Sequence, residues 1–137
     1  MGPKPTTLVD LVWDGDLRFT VALGGSPPFV LDSAGHAGPS PVEALAAALA
    51  GCMAMDLVHI LTRGRYVVRN LTAHLSAVRA AEDPKRLAGA HLHFVLGSDA
   101  SAAAIDRALA LSREKYCSVW QSLRQDIELI VTCDRDG

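Results

Sequence analysis

The sequence has little cysteine, no excess of positive charge and no long uninterrupted hydrophobic run. Three cysteines in 137 residues, with no C-x-x-C pair, exclude the disulfide framework of a small secreted protein. A formal net charge of -2 provides neither a basic surface for nucleic acid nor a polybasic membrane anchor. The beginning, MGPKPTTLVDLVW, lacks the basic and apolar regions of a signal peptide. The apolar run over residues 44–55 is too short to span a bilayer. We expect a cytoplasmic protein without nucleic-acid or membrane partners.

The residues that are present predict one folded domain over residues 1–137. Half of them are hydrophobic and 20% are charged, which is enough to form a core and argues against disorder. TLVDLVW and DLRFTVAL, separated by Asp14-Gly15, are typical of a β-hairpin. Leu92, Phe94 and Leu96 alternate as in a strand with one buried face. The complete pattern predicts an α+β fold with the order βββ-α-ββ-αα-β.

A long apolar helix is predicted from Pro41 to about Thr62. Ser40 suits the N-cap, Pro41 the first helical turn, and Glu43 the third position of a capping box. The helix is apolar nearly all round until Asp56, so we expect it to be buried on most sides. One small sheet cannot cover such a helix, which indicates that a second subunit helps to bury it.

The three cysteines allow different interpretations. Cys52 lies inside the predicted helix, as either a small core residue or a reactive thiol. Cys117 precedes a short helical pattern, where it either caps and packs or gains thiolate character from the helix dipole. Cys133 ends a strand near the C-terminus and is interpreted as incidental. Spacing alone does not make Cys52 and Cys117 a redox pair.

Two further groups are candidates for chemistry. Asp56 follows Cys52 by four positions; it either lies near the thiol, where it would oppose ionisation, or marks where the helix leaves the core, and we favour the second. His91 and His93, with His74 on the neighbouring strand, have the spacing of a metal site. We interpret them as a solvated outer strand face and expect no metal.

Two segments carry a resemblance to a known family. GPSPVEALAAALAGCMAMDLVHIL and ALALSREKYCSVWQSL resemble the two cysteine regions of the OsmC-like family, which includes organic hydroperoxide resistance proteins. The resemblance implies the OsmC-like fold and an intertwined homodimer with its active sites at the subunit interface. It also implies a thiol peroxidase that reduces organic hydroperoxides, with Cys52 peroxidatic and Cys117 resolving. A dithiol or lipoyl group would act as reductant and co-substrate, and no other cofactor is expected.

The family also places an arginine and a glutamate beside the first thiol, for which Arg18 and Glu43 are the candidates. Arg18 could equally be a solvated strand charge, and Glu43 a capping residue. Val42 stands where the family glutamate follows Pro41, so Glu43 is one position late. These departures indicate a divergent branch. They keep open an alternative function, a non-enzymatic dimer that binds a small apolar ligand in an interface pocket.

Overall fold

The computed structural model describes residues 4–136 and divides into two compact units, the first ending at Leu45 and the second beginning at Ala46. The elements are β1 (Asp10–Trp13), β2 (Arg18–Ala22), β3 (Phe29–Asp32), α1 (Pro41–Arg63), β4 (Val68–Arg79), β5 (Leu87–Ser98), α2 (Ala102–Leu111), a π-helical turn (Ser112–Tyr116), α3 (Ser118–Gln121) and β6 (Glu128–Arg135). The predicted α+β order is confirmed, with the π-helical turn added between α2 and α3. The single domain over residues 1–137 stays a prediction.

The first unit contains an antiparallel sheet with the strand order β1-β2-β3. The predicted hairpin turn is closed by hydrogen bonds from the Asp14 N–H to the Arg18 carbonyl at 2.9 Å and from the Arg18 N–H to the Gly15 carbonyl at 3.0 Å. Gly15 has a φ of 90°, a conformation that costs glycine little. The turn therefore fixes where β2 begins, and Arg18 is its first residue.

A buried carboxylate organises the connector that follows β3. Asp32 is 4% exposed, and its side chain accepts hydrogen bonds from the backbone N–H groups of Ala34, His36 and Ala37. These bonds hold the pKa of Asp32 below its usual value. A side chain that binds backbone groups a few residues on gives a glycine-rich loop a defined shape.

Helix α1 begins with the predicted capping box. The Glu43 N–H donates to the Ser40 hydroxyl at 3.2 Å, and the Ser40 N–H donates to the Glu43 carboxylate at 2.9 Å. Two backbone donors that the helix leaves without partners are thereby satisfied. The helix continues to Arg63, one residue beyond the predicted end.

The burial of α1 differs from the prediction. Its buried residues form one stripe with a spacing of four: Leu49, Met53, Leu57 and Leu61. Residues four apart share a face of a helix, so this stripe is a single face. Met55 is 74% exposed and Val58 38%. Within the single chain α1 is therefore buried on one face, and the prediction that a second subunit covers most of the rest stays a prediction.

Helix α1 is also long and apolar enough to cross a membrane, judged by length and composition alone. It has 23 residues, and its most apolar window has a mean hydropathy of 1.9, with 22% of that window buried. The expectation that the apolar segment is too short to span a bilayer considered residues 44–55 alone. The apolar pattern continues beyond Asp56, so the helix as a whole is longer. Core helices of soluble proteins can share this profile, so the expectation of no membrane partner stays a prediction.

The second unit contains a sheet with the strand order β4-β5-β6, in which β4 and β5 are antiparallel and β5 and β6 parallel. Leu92, Phe94 and Leu96 on β5 are fully buried, as their alternation predicted. Parallel neighbours need a long crossover connection. Here α2, the π-helical turn and α3 form that crossover, and Cys117 lies on it.

Candidate functional site

Two cysteines and a carboxylate meet in the second unit. The sulfur atoms of Cys52 and Cys117 and one carboxylate oxygen of Asp56 all lie within 4.8 Å of one another. The two cysteines are 65 positions apart (117 minus 52), and only the fold brings them together. Both thiols are free. They form the centre of the candidate site.

Helix α1 provides two of the three groups. Cys52 and Asp56 are four residues apart, so their side chains are neighbours on one helix face. Both are half-buried, next to the buried Met53 and Leu57. Our preferred interpretation of Asp56, as a mark of where the helix leaves the core, is therefore wrong. The alternative, that Asp56 lies near the thiol, is confirmed.

The crossover provides Cys117. The π-helical turn ends where the Cys117 N–H donates to the Ser112 carbonyl at 2.7 Å, and Cys117 then acts as the N-cap of α3. Its sulfur accepts a hydrogen bond from the Trp120 N–H at 3.3 Å. Cys117 has no exposed surface. The predicted place before a short helix is confirmed, and so is the capping role.

Ser112 holds Asp56 in position. Its hydroxyl donates to Asp56 Oδ2 at 2.8 Å, and Ser112 itself is fully buried. Nothing in the residues around Ser112 indicates a carboxylate partner for it. The residue opens the π-helical turn, a distortion that often occurs at functional sites. Sequence analysis missed this contact.

The surroundings of Cys117 disfavour its thiolate. Burial raises the pKa of Cys117 to about 11, and a hydrogen bond with the Cys52 thiol and the charges of Cys52 and Asp56 act in the same direction. The hydrogen bond from the Trp120 N–H acts in the opposite direction and lowers this pKa. Of the two interpretations of Cys117, thiolate character is therefore wrong: α3 has four residues, too few to offset desolvation.

A cleft of about 560 Å³ opens beside the site. Its lining comes from α1 and from the region around the π-helical turn: Asp56, His59, Ile60, Arg63, Leu111 and Tyr116. Asp56 belongs both to this cleft and to the sulfur cluster. The cleft therefore reaches the Asp56 member of the cluster, and neither cysteine belongs to its lining.

Arg18 and Glu43 lie in the first unit, where their described contacts are local. Arg18 Nη2 lies 3.8 Å from the Asp16 carboxylate and 3.5 Å from the Asp14 carbonyl. The Glu43 carboxylate caps α1, and hydrogen bonds from the Ser40 N–H and hydroxyl lower the pKa of Glu43. The catalytic roles that the resemblance implies for both residues stay predictions.

The histidines and the third cysteine lie elsewhere in the second unit. The His91 and His93 rings both hydrogen bond with the Thr132 hydroxyl, at 2.9 and 2.6 Å, and His93 lies 3.2 Å from the Asp134 carboxylate. They point away from buried Leu92 and Phe94, as predicted for an outer strand face. Cys133 is part of β6, where burial raises its pKa.

Comparison with known proteins identifies the family. Residues 33–132 match the OsmC-like protein family. The chain is 35% identical over 119 residues to Protein YhfA of Escherichia coli strain K12, covering 85% of this chain and 89% of YhfA.

Solved structures match the fold across nearly the whole chain. A hypothetical protein of Aquifex aeolicus VF5 aligns with a TM-score of 0.88 and 22% identity, covering 97% of this chain and 98% of the other. The organic hydroperoxide resistance protein OhrB of Bacillus subtilis aligns with a TM-score of 0.61 and 15% identity, covering 93% and 98%. At these identities the structures show a shared fold only. The family match and the YhfA identity go further: the chain belongs to the OsmC-like protein family.

Proposed function

We propose that the protein is a thiol-dependent peroxidase that reduces organic hydroperoxides in defence against oxidative stress. The observation that carries the proposal is the approach of the Cys52 and Cys117 sulfur atoms to within 4.8 Å. Two thiols this close can pass between a reduced dithiol and a disulfide with small movements. The name of the Bacillus subtilis neighbour, an organic hydroperoxide resistance protein, supports the same chemistry.

Cys52 is the proposed peroxidatic residue. Its thiolate attacks the terminal oxygen of the hydroperoxide, the O–O bond breaks, and the departing alkoxide takes a proton to become an alcohol. The sulfur gains the oxygen as a sulfenic acid, so the peroxide is reduced by two electrons. Cys52 is half-buried whereas Cys117 has no exposed surface, which supports Cys52 as the first thiol to meet a substrate.

Cys117 is the proposed resolving residue. Its sulfur attacks the sulfenic sulfur of Cys52, the S–O bond breaks, and a disulfide forms. The hydroxyl leaves as water with the proton of the Cys117 thiol. A small dithiol or lipoyl group then returns both cysteines to thiols and is itself oxidised to a disulfide. This dithiol is a co-substrate, and the proposal requires no bound cofactor.

The remaining parts of the proposal come from the family resemblance. Arg18 would favour the Cys52 thiolate, and Glu43 would hold that arginine. The protein would act as a cytoplasmic homodimer. The exposed apolar side chains Met55 and Val58 on α1 support a second subunit, because monomers rarely leave extended apolar surface uncovered.

The test is the consumption of an organic hydroperoxide with dihydrolipoamide as reductant. Wild type should turn over, and Cys52→Ser should not. Cys117→Ser should oxidise Cys52 once and then fail to recycle through the dithiol. Cys133→Ser is the matched control and should keep wild-type activity. Steady-state turnover by folded Cys52→Ser would contradict the role of Cys52 as the peroxidatic residue.

A second candidate function is binding of a small ligand without catalysis. The cleft of about 560 Å³ beside Asp56 supports it, since small-molecule sites usually enclose roughly 300–1,000 Å³. This candidate predicts that replacing both Cys52 and Cys117 leaves ligand affinity unchanged. An apolar fluorescent probe titrated into wild type and the double variant would separate the two functions.

A further inference from the structure

The three groups of the site are also a set of metal ligands. We propose that Cys52, Asp56 and Cys117 of the reduced protein together bind a thiophilic divalent cation, for which Zn²⁺ is the best fit. Their two sulfur atoms and one carboxylate oxygen lie within 4.8 Å of one another. The inference concerns binding, and it holds whether or not the thiols reduce peroxides.

The donor set and its spacing suit zinc. Zinc is bound by cysteine sulfur at about 2.3 Å and by carboxylate oxygen at about 2.0–2.2 Å, usually with tetrahedral geometry. Two such donors around one tetrahedral ion are about 3.5–3.8 Å apart. The observed limit of 4.8 Å is about 1 Å longer, which side-chain rotation can close. Hard cations such as Mg²⁺ prefer all-oxygen sites, so two sulfur donors select against them.

Hydrogen bonds already orient two of the three ligands. The buried Ser112 hydroxyl occupies Asp56 Oδ2 at 2.8 Å and leaves Oδ1 for a metal. The Trp120 N–H donates to the Cys117 sulfur at 3.3 Å, a contact that stabilises a thiolate ligand. Such outer contacts set ligand orientation, and their loss typically weakens metal affinity by about 10–100-fold. The protein therefore holds these donors in place before a metal arrives.

The cleft beside Asp56 completes the site. Three protein ligands leave one tetrahedral position, which water fills in open zinc sites. The cleft reaches Asp56 from solvent and can supply both that water and an entry route. On binding, the two thiol protons pass to solvent, and the ion carries two positive charges into a cluster of three anionic ligands. Oxidation of the pair to a disulfide would remove both sulfur ligands and release the ion.

The experiment titrates fully reduced protein with Zn²⁺ against a chromophoric chelator. Wild type should take up one equivalent. Cys52→Ser and Cys117→Ser should lose stoichiometric binding. Asp56→Asn should weaken affinity, and Ser112→Ala should weaken it by about 10–100-fold. Circular dichroism should show that each variant is folded. A Co²⁺ titration should show sulfur-to-cobalt charge-transfer absorption that disappears in the cysteine variants.

Two controls separate this site from other donors on the chain. Cys133→Ser removes the third thiol, and His93→Ala removes the centre of the His91, Thr132 and Asp134 cluster. Both variants should keep wild-type Zn²⁺ affinity. Failure of reduced, folded wild type to compete with the chelator would overturn the proposal, and so would binding that depends on Cys133 or His93. Unchanged affinity in Asp56→Asn would remove Asp56 from the ligand set.

Discussion

At the scale of single residues, Asp56 brings a negative charge to within 4.8 Å of two sulfur atoms. Its spacing of four from Cys52 follows from the sequence, because α-helical geometry puts such residues on one face. Cys117 and Ser112 could not be added in this way, since their contacts depend on how the crossover packs against α1. Local sequence patterns therefore identified Cys52, Asp56 and Cys117 as reactive candidates, the family resemblance alone paired the two cysteines, and nothing in the sequence indicated Ser112.

Replacing Asp56 by asparagine should lower the pKa of Cys117. The charge of Asp56 is one of the groups that raise this pKa to about 11, so removing the charge removes part of the increase. The pH midpoint of thiolate absorbance, measured in a Cys52→Ser, Cys133→Ser background, should move downward. Ser112→Ala keeps the carboxylate and is the control. A midpoint that does not move would show that Asp56 has no electrostatic influence on Cys117.

Cys117 should also make stability depend on alkaline pH. Its pKa rises from 9.0 to about 11 on folding, so the folded state holds the proton more tightly than the unfolded state. The contribution of Cys117 to the free energy of unfolding is then fully present below pH 9. It declines as the pH rises through about 11, by about 1.4 kcal/mol per unit of pKa difference. Urea denaturation across this range should show a shallower decline for Cys117→Ser. An equal decline in wild type and Cys117→Ser would contradict the raised pKa of Cys117.

At the scale of elements, α1 has a well-defined N-terminal cap, but the helix that follows is buried on one face only. Its capping box and its length were predictable, because both follow from local residue preferences. The β5 alternation was predictable for the same reason. The π-helical turn was not, since Ser112–Tyr116 carries no local signal that distinguishes it from a continued helix. The degree of burial of α1 depends on what packs against it, which a single sequence does not specify.

Removing the cap of α1 should destabilise the protein without altering the thiol site directly. Ser40→Ala deletes the hydroxyl that accepts the Glu43 N–H, a change that typically costs about 0.5–2 kcal/mol. Chemical denaturation measures this loss. Glu43→Gln keeps a hydrogen-bonding side chain and should cost less. If Glu43→Gln retains stability but loses hydroperoxide turnover, Glu43 has the catalytic role that the family resemblance implies.

At the scale of the whole molecule, the exposed apolar side chains point to self-association. In the first unit, β1 exposes Leu11, Val12 and Trp13, each by more than half of its surface. In the second unit, α1 exposes Met55 by 74%. An apolar helix with one buried stripe is typical of a protein whose remaining helix surface meets a partner.

We expect the native mass to be about twice the chain mass of 14.5 kDa. Met55→Asp should shift the protein toward monomer, because a charge at an apolar interface is costly to desolvate. Sedimentation measures both masses. Glu82→Asp, a conservative change in the turn between β4 and β5, is the control and should leave the mass unchanged. A monomeric wild type would contradict the predicted dimer, as would a Met55→Asp variant that stays dimeric.

Because the two thiols are far apart in sequence, a disulfide between them would stabilise the fold. A Cys52–Cys117 bond would tie α1 to the crossover and close a loop of 65 residues (117 minus 52). By the chain-entropy relation, closing a loop of that length raises the free energy of unfolding by about 4 kcal/mol when the bond is free of strain. The oxidised protein should then melt at a higher temperature than the reduced one. The thermal midpoint would then report whether the two thiols are oxidised. Peroxide would raise it, and a dithiol would return it to the value of the reduced protein.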